Sequence, residues 1–93
     1  MTWNRQIVED KILAVFANHR QADVELSKST RIVADMGIDS LGVMEVIADI
    51  EDEFKQGSYK LEVPEDALKT IETVGDVITS ITGRLEQDGK LSA

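Results

Sequence analysis

The chain contains no cysteine, which excludes a disulfide framework, a thiolate metal site and a cysteine nucleophile. Any thiol chemistry must therefore come from a group attached to it. Histidine occurs once, as His19, so a histidine-rich metal cluster is also excluded, and this side chain is expected at the surface near a helix end. Proline occurs once and aromatic residues make up only 4% of the chain. No apolar run approaches the roughly 20 residues that cross a bilayer. The opening Met1-Thr2-Trp3-Asn4-Arg5 lacks the charged-then-apolar layout of a secretory signal, and the expected location is cytoplasmic. With 93 residues, 42% hydrophobic and 30% charged, the chain is expected to form one globular domain over 1–93.

Positive charge is missing from one long stretch. From Ile32 to Phe54 there are seven acids (Asp35, Asp39, Glu45, Asp49, Glu51, Asp52, Glu53) and no Lys or Arg. The remainder holds eleven acids against ten bases, so −7 of the net −8 lies in this quarter of the sequence. Such a field repels nucleic acid and anionic membrane and attracts basic protein surfaces. A plain solvated acidic helix would carry the same charges.

What is present is helical patterning, with no alternating strand. Trp3, Ile7, Val8, Ile12, Val15 and Phe16 predict a first helix over 3–18. The connection from His19 to Ile38 is too long for a structureless loop, and Val24, Leu26, Ile32 and Val33 are expected to pin it across the core. A second helix is expected from Asp39, after a turn at Gly37, to Phe54. Pro64 suits the first turn of a short third helix, with Glu65 and Asp66 beside its N-terminus. Thr73 and Asp76 have the spacing of a capping box, opening a last helix that carries Val74, Val77, Ile78, Ile81 and Leu85. The ordered core is expected over 3–85 and the polar end, 86–93, is expected to fray. The fold class is all-α, a small bundle of three longer helices and one short one.

The second helix carries more apolar surface than its core contact needs. At about 100° per residue, Val43, Val46, Ile47, Ile50 and Phe54 fall in one arc about 100° wide. That seats the helix. Met44, Ala48 and Leu41 lie outside it, at about 40, 80 and 100° from Ser40, among Glu51, Asp52, Glu45 and Asp49. An apolar centre with a charged rim has the anatomy of a protein-docking surface. The alternative is a wider core arc, with these residues packed beneath the long connection. Ser40 opens the helix, where serine usually serves as a cap, yet Asp39 can take that role. No histidine or lysine lies near it in the sequence to act as a base, so it is not a hydrolase nucleophile. It can still be a substrate for another enzyme, and a phosphate placed there would meet the positive end of the helix dipole.

These residues resemble a known family. Met36-Gly37-Ile38-Asp39-Ser40-Leu41 is similar to the (L/M)-G-x-D-S-L signature of acyl carrier proteins. Glu45 and Ile50-Glu51-Asp52-Glu53-Phe54 follow in the family's register. Val63-Pro64-Glu65-Asp66 and Ile71-Glu72-Thr73-Val74-Gly75-Asp76 resemble the start of its third helix and the junction to its fourth. The likeness covers most of 31–85. It implies a covalent carrier rather than an enzyme, with 4′-phosphopantetheine delivered from coenzyme A to Ser40, flanked by Asp39 and Leu41 of the motif. The implied partners are a holo-carrier synthase (a phosphopantetheinyl transferase) and acyl-transferring or acyl-activating enzymes with basic surfaces. Leu41, Met44, Glu45, Ala48, Glu51 and Asp52 match the family's docking positions. No nucleic acid, no membrane and a monomeric state are expected.

Three departures from the family pattern stand out. Gly42 replaces an aspartate of the common fatty-acid carriers, and glycine weakens a helical turn by up to about 1 kcal/mol relative to alanine. Asp49 replaces a small apolar residue, extending the acidic rim. The connection 55–63 is longer than usual and holds Tyr59 and two lysines. The Gly-Ile-Asp-Ser-Leu-Gly run and the Gly75-Asp76-Val77 step resemble specialised carriers, including the nodulation type of rhizobia, and suggest a dedicated pathway. Two other carriers, of aminoacyl and peptidyl groups, share the attachment motif. A non-carrier acidic helical module is the reading from a different class. The acids are not spaced as a calcium loop.

Overall fold

The computed structural model describes residues 2–19 and 25–92. Four helices follow one another among them: α1 (Arg5–His19), α2 (Ser40–Glu53), α3 (Glu65–Leu68) and α4 (Val74–Gln87). This is the all-α arrangement expected, with three longer helices and one short one. The core is built from Val8, Ile12, Val15 and Phe16 of α1, Val46, Ile47 and Ile50 of α2, and Val74, Val77, Ile78, Ile81 and Leu85 of α4. Each set recurs at three- and four-residue spacing, so each helix buries one apolar stripe, and α1 packs against both α2 and α4.

Helix starts follow local capping chemistry. The Asn4 side chain accepts from Ile7 N–H at 2.8 Å, so α1 opens at Arg5 and Trp3 lies outside it. Trp3 instead packs edge-on against Phe54, with ring centroids 5.2 Å apart. Ile7, expected on the buried stripe, is 42% exposed. Pro64 is the N-cap of α3 rather than its first helical residue, and makes no side-chain cap bond. At α4 the capping box is complete: Thr73 Oγ1 accepts from Asp76 N–H at 3.1 Å, and Asp76 Oδ2 accepts from Thr73 N–H at 3.0 Å.

The connection before α2 is pinned as expected, by two of the four side chains named for it, Leu26 and Ile32, joined by Met36 and Ile38. Ile32, Met36 and Ile38 are buried and Leu26 is half-buried. Val33 is 64% exposed, so it does not pin the segment. Val24 lies outside the described residues. Backbone bonds do the rest: Val74 and Gly75, the first two residues of α4, donate to the carbonyls of Thr30 and Lys28, and Ile32 donates to Glu72. Two of the orphan N–H groups of the α4 N-terminus are thus satisfied by this connection.

The C-terminal end also departs from expectation. Instead of fraying from residue 86, α4 continues to Gln87 and the chain returns to Trp3, whose N–H donates to Lys90 and whose carbonyl accepts from Ser92, both at 2.8 Å. Half-buried Leu91 packs on the core. In the long connection after α2, Gln56 and Tyr59 exchange two backbone bonds in a tight hairpin. Tyr59 stacks beside Trp3 and donates to Asp88 Oδ2 at 2.8 Å, while Leu61 is buried.

Candidate functional site

The turn at Gly37 (φ 72°) delivers the chain to Asp39, whose extended backbone and side chain cap α2. Asp39 Oδ1 accepts from Gly42 N–H at 2.8 Å. The cap position is therefore filled, and Ser40 is the first helical residue, exposed and without a side-chain hydrogen bond among the described residues. Gly42 has a steric role that its helix propensity conceals. A Cβ there would stand 2.6 Å from Ile38 Cγ2, and Ile38 is buried. The glycine lets the residue before the cap fold against the first turn, so the expected cost of glycine is offset by this close approach.

Beside Ser40 a groove of about 420 Å³ runs between α2 and α3. Val33, Val43, Met44, Leu68 and Ile71 form its apolar wall, and Glu65 and Lys69 its charged edge. Val43 of α2 and Ile71, beyond the end of α3, face each other across it. Ile47 and Ile50 of the same helix belong to the closed core instead. Val33 and Leu68 line it from outside the α2 face, where no sequence pattern marks a groove. A surface valine in a loop carries no periodic signal. Lys69 approaches from α3, and its ammonium is 3.7 Å from Asp66 Oδ1, with no hydrogen bond to Ser40. His19 Nε2 lies 2.5 Å from Asp49 Oδ2. Neither acts as a base for the hydroxyl, so Ser40 has no activating neighbour among the described residues.

The docking face is sorted by the partners of its acids. Leu41 is 70% and Met44 56% exposed, and Ala48, Glu45 and Asp52 are exposed as well. Leu41, Met44 and Ala48 are thus not buried beneath the long connection. The carboxylates of Glu45 and Asp52 have no ion pair or hydrogen bond among the described residues. Glu51 differs: it is half-buried, and its Oε2 accepts from Val63 N–H at 3.0 Å. Asp49 binds His19 on α1 and so is a link between helices rather than a simple extension of the rim, and Glu53 faces Lys11 at 3.6 Å. Asp35 accepts from the N–H and the guanidinium of Arg31, which holds its carboxyl below the usual range, chiefly through the backbone bond.

A chain with a free hydroxyl at a helix start, beside an apolar groove, has the layout of a carrier. The family model described as "Phosphopantetheine attachment site" matches residues 10–81, which includes Ser40. The chain belongs to the acyl carrier protein family. Its relatives include an acyl carrier protein of Phenylobacterium zucineum, 33% identical over 79 residues, covering 84% of this chain and 94% of that one. An acyl carrier protein of Rickettsia bellii is 32% identical over 75 residues, covering 80% and 81%. A solved structure described as an acyl carrier protein from Mycobacterium tuberculosis superposes with a TM-score of 0.68 at 31% identity, covering 80% of this chain and 93% of that one. Phosphopantetheine is accordingly the group this carrier takes. The residues at Ser40 fit it: the hydroxyl is accessible, and the N–H groups of Ser40 and Leu41 are left out of the Asp39 cap.

Proposed function

We propose that Ser40 is the attachment point and that the chain shuttles acyl groups as thioesters for a dedicated biosynthetic pathway. A phosphopantetheinyl transferase with its own magnesium would supply the base that Ser40 lacks. Ser40 Oγ forms a bond to the β-phosphorus of coenzyme A, the pyrophosphate bond breaks, adenosine 3′,5′-bisphosphate leaves, and the hydroxyl proton passes to the transferase. The observation that carries this reading is an exposed, uncapping serine at the start of α2 beside an apolar groove. The groove suits an apolar cargo. Asp39 positions the serine by capping the helix, and Leu41 flanks it.

Leu41, Met44, Ala48, Glu45 and Asp52 are proposed as the docking face for the transferase and for acyl-transferring enzymes with basic surfaces. A cytoplasmic setting agrees with these partners, and among the described residues no helix is long and apolar enough to cross a membrane. Intact mass after coexpression with several transferases tests the reading. A gain of one arm, about 340 Da from the formula of the prosthetic group, is expected for wild type and not for Ser40→Ala. No gain with any transferase would refute it.

A further inference from the structure

Glu51 occupies a family docking position, yet its carboxylate is already engaged. Oε2 accepts from the N–H of Val63, and Val63 immediately precedes Pro64, the N-cap of α3. Helix α3 is four residues long, has no buried residue and no side-chain cap. Its own hydrogen bonds are local, joining residues 64–70 to one another. It leans on the core only through the half-buried Val63, Leu68 and Ile71. An element held by so few buried contacts opens at low free-energy cost. Two of its residues, Glu65 and Leu68, and its C-cap Lys69 line one side of the groove beside Ser40. The bond from α2 to Val63 therefore fixes where that wall begins.

The carboxylate is reachable. Glu51 lines a surface depression of about 210 Å³ together with Asp52, Lys55, Lys60, Leu61 and Glu62. A lysine or arginine entering from a docked enzyme would meet Glu51 beside the exposed Asp52. Its differential attraction for a Glu51 released from Val63 is what could shift α3.

We propose that Glu51 is a positioning residue that couples docking to access: a partner's cation takes its carboxylate, Val63 is released, and the α3 wall of the groove opens. This rests on the reading of Ser40 as the acyl-bearing residue. It separates two kinds of acid on one helix. Glu45 and Asp52 attract the partner, whereas Glu51 converts its arrival into a movement of the groove wall.

Amide hydrogen exchange at Val63 tests the latch in the unloaded protein. Glu51→Ala is expected to speed that exchange by roughly tenfold or more, with the core amide of Ile81 unchanged. Glu51→Gln keeps an oxygen acceptor and is expected to retain protection. Added arginine hexapeptide, the probe for a partner's cation, should speed Val63 exchange in wild type and not in Glu51→Gln. In the loaded protein carrying an octanoyl thioester, cleavage by hydroxylamine should be roughly threefold or more faster in Glu51→Ala. Unchanged Val63 exchange in Glu51→Ala, an equal peptide effect in Glu51→Gln, or unchanged thioester cleavage would each overturn the proposal. Failure to load Ser40 at all would instead refute the carrier reading, while Val63 exchange would still report on the latch.

Discussion

Around Ser40, three neighbouring residues divide the work of holding a helix start without using the serine. Asp39 satisfies the Gly42 N–H, Ile38 anchors the preceding turn in the core, and Gly42 leaves room for Ile38 Cγ2. Gly42→Ala puts two effects in opposition. Alanine gains up to about 1 kcal/mol of helix propensity, while a Cβ 2.6 Å from a buried methyl demands a shift. Overpacking of this kind costs about 1–3 kcal/mol. The clash is expected to win, giving net destabilisation in urea unfolding and a slower transfer of the arm to Ser40, because the turn carrying the hydroxyl moves. A stabilised Gly42→Ala protein would show that Ile38 can yield. The serine and its cap were legible from six consecutive residues because capping is local chemistry. The role of Gly42 was not, since it depends on where a buried side chain four residues earlier comes to rest.

At the level of elements, α4 has the more firmly fixed N-terminus and α3 the looser one. The Asp76 carboxylate accepts from the N–H groups of Glu72 and Thr73, which hold its pKa below the ordinary value of 3.8. A carboxyl depressed in the folded state adds stability above its unfolded pKa and loses it as pH falls through the folded one. Acid should therefore erode the α4 start below about pH 4. Asp76→Asn is expected to flatten that part of the pH–stability profile, and Thr73→Ala to cost about 1 kcal/mol of stability at any pH. An Asp76→Asn profile parallel to wild type in acid would contradict the assignment. Such reciprocal capping could be read from the Thr73–Asp76 spacing. The grip of Thr30 and Lys28 on the same N-terminus could not, because it joins segments more than forty residues apart through backbone atoms alone. Val33 and Ile7 show the same limit from the other side. Both are apolar at plausible spacing, and only tertiary packing decides that they stay in water.

Across the whole molecule, the two chain ends and the long 55–63 connection form one clasp. Trp3 touches Phe54 and Tyr59, pairs with the strand-like end at Leu91, and Tyr59 reaches Asp88, which also lies 3.4 Å from Arg84. Burial first, and then the hydrogen bond and charge of Asp88, push the Tyr59 hydroxyl up from 10.0 to about 12. Its ionised form is thus disfavoured in the folded protein. The unfolded chain releases this proton first, so stability should fall as pH rises from about 10 to about 12. Tyr59→Phe should remove that alkaline loss while lowering stability at neutral pH, which Trp3 fluorescence during urea unfolding would follow directly.

The same whole-molecule view sharpens what the acidic stretch is for. Of the seven acids between Ile32 and Phe54, five have intramolecular partners: Asp35 with Arg31, Asp39 with Gly42, Asp49 with His19, Glu51 with Val63 and Glu53 with Lys11. Charge that faces an internal cation, as at Asp35 and Glu53, contributes less to steering than its count suggests, and exposed pairs are screened further by salt. Glu45 and Asp52 remain without a side-chain partner among the described residues, flanking the exposed Leu41 and Ala48 on one ridge of α2. Long-range attraction depends on unpaired rim charge, which acts mainly on association rate. Glu45→Lys with Asp52→Lys should therefore slow loading of Ser40 at low ionic strength by roughly tenfold or more and largely abolish its salt dependence. Reversal of Asp35 and Glu53, which are already paired, should change the rate far less. Equal slowing by both pairs of reversals would mean that total charge, not these two carboxylates, guides the partner.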